Sequence, residues 1–420
     1  FSFWDTGEYI SSAVKLEVTH APGAALFQLV GAVAAILSFG NEAYYSLIIN
    51  AMSALFSAFT ILFLFWTITH LVRRILNKEM EELSSAEMIS VLFSGVIGSL
   101  AFTFSDTFWY SAVEGEVYSM ASMFIALVVW LITKWENEYH DSDSQRWIIL
   151  IFFIVGLSVG VHMMVMLAVP AVCFIYYARN YKFTWKNFII ANFITLGVLA
   201  FVFKGIFPIV MRLFGKSEIF FVNSIGLPFH SGTIIAFMIL VAFCYYIIRY
   251  TRKTKNNLYQ TAALSVVYMI IGFSCWMMIP IRANANPPMN LNNPDTAIGM
   301  LDYYNREQYG DWPTIYGQNY TAHLDAHGIE RNEDGGYKTI KTGDVYEKNE
   351  KTGKYDKVDE RTNYVYNKDH VSFLPRMYNS DRTVMNNYVS MYGAPDFEFN
   401  YSNENIVDNP HAKKAFDELK

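Results

Sequence analysis

Cysteine is scarce and sits where it can do little: Cys173, Cys244 and Cys275 all lie in apolar runs. A thiol in such a run packs as a small buried hydrophobe, and these three suggest neither a disulfide framework nor a thiolate metal site. No glycine-rich nucleotide loop occurs, no His/Asp cluster has dependable metal-ligand spacing, and no internal repeat or low-complexity tract stands out. The chain opens on Phe with no cleavable signal, so it reads as trimmed from a longer one. Net charge is missing too from the first two thirds. Residues 1–281 hold 16 Lys+Arg and 16 Asp+Glu, which leaves the whole formal charge of −6 in residues 282–420. That acidic remainder argues against nucleic acid as a partner.

Apolar residues fill the space. The 420 residues are 53% hydrophobic and 17% aromatic, with a mean hydropathy of +0.20, which is too apolar for a soluble chain of this length. A bilayer core needs about 17 to 25 apolar residues per helix. Eight runs qualify: Tyr44–Val72, Met88–Phe104, Val117–Thr133, Trp147–Val161, Met163–Tyr177, Phe188–Phe203, Thr233–Ile248 and Ala262–Ile281. The fold class expected is an all-α polytopic membrane protein with an α+β tail. Two of the runs flank His162 and are short. Counting them as separate crossings gathers Arg73, Arg74, Lys78, Lys134, Arg146, Arg179, Lys182, Lys186, Arg249, Arg252, Lys253 and Lys255 on one side, 12 of the 16 basic residues. Lys and Arg accumulate in short cytoplasmic loops, so Asp5, Glu8, His20, Asp106, Glu114, Glu116, His162, Arg282 and the tail fall on the outer side.

Three regions follow. Residues 1–43 form an outer loop with carboxylates and a short helix near Ala24–Ser38, too short to cross and suited to the interface. Residues 44–281 are the helical membrane domain. Residues 282–420 begin with the helix-stopping "RANANPPMNLNNPD"; further on, "TIKTGDVYEKNEKTGKYDKVDERTNYVYNK" alternates Tyr/Val with polar residues, predicting an antiparallel hairpin. The tail is expected to dock on the membrane domain.

The ionisable residues of the outer side are the candidates for chemistry. Asp5 and Glu8 stand one helical turn apart, either as a capping box or with a carboxylate serving as general base toward an acceptor hydroxyl. Asp106, Glu114 and Glu116 in "SDTFWYSAVEGEVYSM" are either caps and solvated loop residues or a second acidic group. Two converging acidic loops could divide base and positioning roles, or hold a divalent metal. His162 in "GLSVGVHMMVM" sits at a break between half-length helices, where membrane proteins open polar sites; a structural histidine is the plainer reading. Arg282 either snorkels to the interface or offers its donors to a lipid phosphate. His20 precedes Ala21-Pro22-Gly23 at a turn.

The order of these features resembles a bacterial membrane family related to protein O-mannosyltransferases, long catalogued only as a domain of unknown function and itself similar to the GT-C glycosyltransferases. The acidic opening, the His-x-Pro-Gly turn, "GNEAYYSLIINAMSAL", "EGEVYSM", "GLSVGVH", "IRANANPPMNLNNPD" and "YNREQYGDWP" carry the resemblance, the last in the form found in Bacteroidota. It implies that Asp5 is the catalytic base, Glu8 its companion and Glu116 the second acidic position. His20, His162 and Arg282 would surround the phosphate of a polyprenyl-phosphate sugar. Ala21 and Ala25 depart from the family, which commonly has proline there. The activity implied is inverting transfer of a sugar, mannose above others, to an acceptor hydroxyl on protein Ser/Thr or a glycan, at the periplasmic face of a bacterial inner membrane. Family members continue past this C-terminus into further helices. A noncatalytic assembly or secretion factor and a transporter are the alternatives; a transporter should carry ionisable residues near the bilayer midplane, and the expected spans carry almost none.

Overall fold

A computed structural model describes residues 5–141, 143–310, 313, 315–323, 325, 327–373, 375 and 382–392. Contacts divide the chain into two compact units, Phe1–Arg306 and Glu307–Lys420. The first is helical: α1 (Thr6–Lys15), α2 (Ala25–Ala35), α3 (Tyr45–Leu76), α4 (Ser85–Thr103), α5 (Asp106–Ala112), α6 (Val117–Asn137), α7 (Gln145–Ser158), α8 (Val169–Asn180), α9 (Trp185–Ala200), α10 (Phe207–Ile219), α11 (Ser231–Thr254), α12 (Asn257–Phe273), α13 (Met278–Ala283) and α14 (Ala297–Asn305).

Among the described residues, seven helical stretches are long and apolar enough to cross a membrane: Glu42–Leu76, Ser85–Thr103, Val117–Asn137, Met163–Asn180, Trp185–Ser224, Ser231–Thr254 and Asn257–Ala283. The eighth expected run forms a helix as well, but α7 has only 14 residues, short of the ~20 a perpendicular crossing takes. The run expected over Phe188–Phe203 lies inside a helical rod of 40 residues, Trp185–Ser224. One π stretch, Phe201–Ile206, interrupts that rod, and a second, Phe220–Ser224, ends it. Pro208 accounts for the first, because its ring crowds the preceding turn and it has no N–H to donate.

The helix pairs pack by means the sequence supplies locally. The α3–α6 pair is joined by an aromatic cluster in which the Phe63 and Trp66 rings lie 5.3 and 5.1 Å from that of Trp130. Helices α7 and α12 touch backbone to backbone. A Cβ on Gly156 would lie 2.0 Å from the Met269 carbonyl oxygen, and one on Gly272 2.3 Å from that of Phe153; such close approach is what small residues give to membrane helices. Glu218, fully buried in α10, caps α11: its carboxylate accepts from the His230 and Thr233 backbone N–H groups at 2.6 and 2.8 Å.

At the C-terminal end of α6, Glu136 pairs with His70 at 3.0 Å and Arg74 at 2.8 Å, and Asn137 accepts from Arg73 at 2.7 Å. The opposite end of α6 begins at Val117, directly after Glu116. With 21 residues, this helix is about 30 Å long at about 1.5 Å per residue, close to the thickness of a bilayer core.

The second unit is small and polar. The expected hairpin forms: β2 (Thr339–Asn349) pairs antiparallel with β3 (Lys354–Tyr364), with register shifts at Lys341/Gly343 and Val345/Tyr346. A shorter antiparallel pair joins β1 (Tyr316–Gln318) to β4 (Val371–Phe373), and α15 (Arg382–Tyr392) follows. Between them, buried His370 bonds Asp325 at 2.6 Å and Thr321 at 2.9 Å.

Candidate active site

The N-terminal helix is held by residues far away in sequence. Its C-cap Leu16 turns left-handed (φ 50°). The Arg282 Nε donates to the Leu16 carbonyl at 2.5 Å, and a terminal nitrogen of the same guanidinium reaches the Lys15 carbonyl at 3.3 Å. This satisfies carbonyls that a helix end leaves bare. The next residues run beside the Asn/Pro-rich segment, with Val18 N–H donating to Met289 at 3.0 Å and Leu291 N–H donating to Val18 at 3.2 Å. The first compact unit thus extends beyond Arg282 to Arg306.

The His20–Gly23 turn is buttressed from below. Ala21–Pro22 is cis, and Gly23 has φ +79°; a Cβ there would meet the Tyr303 hydroxyl at 2.7 Å and Ile279 Cδ1 at 2.8 Å. The Trp276 indole N–H donates to the Pro22 carbonyl at 3.1 Å. The Tyr303 hydroxyl donates to the Thr19 carbonyl at 2.5 Å, with the His20 carbonyl at 3.2 Å. Trp276 and Tyr303 are both almost wholly buried, so this platform is part of the core rather than of a mobile surface loop.

On that platform the carboxylates take up different work. A capping box does not form at α1, where Asp5 makes no side-chain cap bond. Glu8 instead accepts the His20 backbone N–H at 2.7 Å and meets the His20 Nδ1 at 3.0 Å. Burial raises the Glu8 carboxyl, but the His20 hydrogen bonds outweigh it and the net shift is downward. His20 is shifted upward, mainly by its bond to Glu8, against the opposing effect of burial. An ionised carboxylate only accepts, so the 3.0 Å contact with Glu8 places a proton on Nδ1. The other nitrogen, Nε2, lies 3.9 Å from Asp5 Oδ2. Tyr9 packs edge-on against both His20 and Phe27 at 5.8 and 5.7 Å.

Glu116 joins from the second acidic loop. A Cβ on Gly115 beside it would lie 2.9 Å from both Ile10 of α1 and Ile49 of α3, so this loop sits close against the opening helix. Glu116 is 8% exposed, and burial, with Glu114 and Asp5 adding to it, pushes its carboxyl up to about 7. His162 is reached through a third connection: the Gly160 carbonyl accepts from the N–H groups of Leu26 and Phe27 at 2.6 and 3.3 Å. There the His162 Nδ1 accepts from Met164 N–H at 3.1 Å, and its ring lies 5.4 Å from that of Tyr118. Burial, then the charge of Arg306, lowers the proton affinity of His162.

Asp5, Glu8, His20 and Glu116 therefore gather, with His162 attached through the α2 start. Arg282 is tied to the end of α1. Asp106 lies exposed in the first turn of α5, after the N-cap Ser105, whose side chain makes no cap bond. Tyr9, Trp276, Tyr303 and Arg306 were not singled out from sequence as site residues, although Arg306 lies in the quoted "YNREQYGDWP". One ligand atom each from Asp5, Glu8 and His20 lie within 4.8 Å of one another, a donor set of the kind divalent cations accept. Glu8 Oε1, however, already serves both His20 N–H groups, so an ion there must compete with them.

Residues 5–185 match the family model of the protein O-mannosyl-transferase TMEM260 N-terminal domain. That stretch contains Asp5, Glu8, His20, Glu116 and His162. The mouse protein O-mannosyl-transferase TMEM260 is 29% identical over 155 residues, covering 37% of this chain and 19% of the relative. The Dictyostelium discoideum protein O-mannosyl-transferase tmem260 is 24% identical over 201 residues, covering 45% of this chain and 22% of the relative. The chain thus spans about a fifth of these relatives' length. Residues 310–414 match a family of unknown function, DUF8416. No solved structure matches. The likeness supports an O-mannosyltransferase-like family for a multi-pass helical membrane protein.

Proposed function

We propose that this chain carries the active site of a GT-C-type membrane glycosyltransferase, which moves a sugar, mannose in the reading the relatives favour, from a polyprenyl-phosphate donor to a protein Ser/Thr hydroxyl. The reaction takes place at the extracytoplasmic face, in bacteria the periplasmic side of the inner membrane. The observation that carries this is the convergence of Asp5 and Glu116, separated in sequence by α1 to α5, within the stretch that resembles TMEM260. A lipid-borne donor suits a site at the end of a membrane helix, since its tail stays in the bilayer while its phosphate reaches the polar rim.

In the step proposed, the acceptor oxygen attacks the anomeric carbon and its proton passes to Asp5. The bond from that carbon to the phosphate oxygen breaks with its electron pair, and polyprenyl phosphate departs. Attack from the side opposite the phosphate inverts the anomeric centre. Asp5 acts as general base. Glu8 holds His20 in one orientation, and His20 and His162 face the donor. Glu116, being protonated below about pH 7, adds little negative charge beside the departing phosphate and can donate a hydrogen bond. Arg282 acts indirectly by fixing α1.

The test is transfer of labelled mannose from polyprenyl-phosphate mannose to a Ser/Thr peptide by the purified full-length protein. Transfer abolished by Asp5→Asn with thermal unfolding unchanged supports the reading. Wild-type protein that transfers to neither peptide nor glycan, and cells that function normally with Asp5→Asn, would establish the assembly-factor alternative instead.

A further inference from the structure

The end of the bundle away from Asp5 and Glu116 holds a cavity that the transfer reaction does not use. Trp135 stands near the far end of α6 from Glu116, about 28 Å away along the helix at about 1.5 Å per residue. There a space of about 960 Å³ opens between α6, α7, α8, α9 and α12. Its lining changes character along its length. Where the helices end it is polar, with Gln145 opening α7, Asn180 closing α8, Asn187 in the first turn of α9 and Asn257 opening α12. Further in it is apolar. Helix α9 presents Ile190, Ile194 and Val198 on one stripe, and α12 presents Ala262, Val266 and Met269. From Asn187 to Val198 the wall is about 16 Å long, close to one leaflet of a bilayer core about 30 Å thick. A long space that is polar at one end only suits an amphiphile rather than a water-soluble metabolite.

Two further observations say what kind. Trp135, Tyr177 and Ser265 line the cavity, and the indole N–H and both hydroxyls are buried without a hydrogen-bond partner; Trp135 is 0% and Ser265 5% exposed. Buried donors left unpaired are costly, and the ester oxygens of a glycerolipid are acceptors of the kind they lack. The charge at the mouth is positive. The Arg179 guanidinium lies 4.7 Å over the ring of Tyr139, and one of its terminal nitrogens is 3.0 Å from His140 Nε2; both of those rings line the cavity, and the Arg179 Nε has no partner. Lys182 and Lys186 follow, exposed, between Asn180 and Asn187. No acidic side chain among the described residues lines the space, and Glu138, Asp141 and Asp143 of the α6–α7 connection stand outside its lining.

We propose that this cavity binds an anionic glycerophospholipid, with an acyl chain laid along α9 and α12 and its phosphate at Arg179. A guanidinium matches phosphate oxygens and keeps its charge at any working pH, and basic pockets between membrane helices are suited to anionic headgroups. The site is separate from Asp5 and Glu116, and the inference does not rest on the glycosyl-transfer reading.

Native mass spectrometry of the full-length protein in detergent, titrated with phosphatidylglycerol or phosphatidylcholine of identical chains, tests the headgroup. Wild type should bind phosphatidylglycerol more tightly. Arg179→Gln should weaken that lipid by about tenfold, as expected for losing a charge-assisted hydrogen bond, and leave phosphatidylcholine unchanged. Ala191→Phe, which fills the space from α9, should weaken both. Unfolding temperatures check that the variants fold. Independently of any variant, phosphatidylglycerol carrying a diazirine on its acyl chain should label wild-type peptides from α9 and α12. Equal affinity of wild type for the two lipids overturns the anionic assignment. Labelling spread over α3, α4 and α11 would reveal annular lipid only, and a folded Ala191→Phe protein that keeps both affinities would place the lipid elsewhere; either result overturns the site.

Discussion

Glu8 and His20 are joined twice, through the His20 backbone N–H at 2.7 Å and its imidazole at 3.0 Å. The pair fixes how the opening helix meets the turn that follows it, so its loss should be felt in stability and pH dependence together. His20 is raised, so its part is complete below the ordinary imidazole value of 6.5 and is lost as pH climbs through the raised value. Glu8 is lowered, so its part is complete above the ordinary 4.5 and is lost as pH falls through the lowered value. Glu8→Gln should therefore cost most between pH 4.5 and 6.5, about 1.5 to 3 kcal/mol for a hydrogen bond to a charged group. Thermal unfolding of both proteins across pH 4 to 9 measures it. A difference that does not shrink at the alkaline end contradicts the assignment.

Glu116 has the opposite sign. Its carboxyl is raised to about 7 by burial and by Glu114 and Asp5, so the folded state holds a proton that the unfolded chain releases near 4.5. Stability should fall as pH rises from 4.5 to 7, by up to about 3 kcal/mol at about 1.4 kcal/mol per pH unit. Glu116→Gln, which cannot ionise, should match wild type at acid pH and exceed it above pH 7. In the transfer assay, the inflection near pH 7 should disappear from the same variant. Parallel stability curves for the two proteins would show that Glu116 takes up its proton at the same pH in the folded and unfolded states, and would refute the raised value.

The α7–α12 seam depends on the absence of side chains. A Cβ on Gly156 would lie 2.0 Å from a backbone oxygen of Met269, an atom that cannot rotate away. Gly156→Ala should push the helices apart and destabilise by about 1 to 3 kcal/mol, the usual cost of overpacking. Gly197→Ala, in open space on α9, should be neutral or stabilising because alanine is the better helix former. Equal unfolding temperatures for the two variants would refute the seam.

The spans and the hairpin were legible because each is a local pattern: long apolar runs for α3, α4, α6, α11 and α12, and a Tyr/Val alternation around Gly353 for β2 and β3. The carboxylate–histidine gathering was legible only in part. Asp5 and Glu8 suggested a capping box by spacing, yet Glu8 turns to a partner 12 positions away, a contact no periodicity encodes. Arg282 ends an apolar run and suggested an interfacial role, but its guanidinium closes the end of α1. The platform under His20 was invisible for the same reason. The Tyr303–Thr19 bond spans 284 residues and ends on a backbone carbonyl, which carries no side-chain signature. The π stretch at Phe201–Ile206 likewise follows from Pro208 in context rather than from composition.

Glu116 and Glu136 stand at opposite ends of α6, and this gives the proposed orientation a direct test. Glu136 is gathered with His70 and Arg74, near Lys78 just past α3, the end the basic loops assign to the cytoplasm. Glu116 is at the end with Asp5. In a background where Cys173, Cys244 and Cys275 are replaced by Ser or Ala, single cysteines at positions 5, 114 and 78 can be labelled with a membrane-impermeant thiol reagent in intact cells. Positions 5 and 114 should react from outside, and position 78 only after permeabilisation. Reaction of 5 and 114 from opposite compartments would break the site apart. Reaction of 78 from outside, with 5 and 114 protected, would turn the whole bundle over and put the chemistry on the cytoplasmic face, where a lipid-linked donor has no special advantage over a soluble nucleotide sugar.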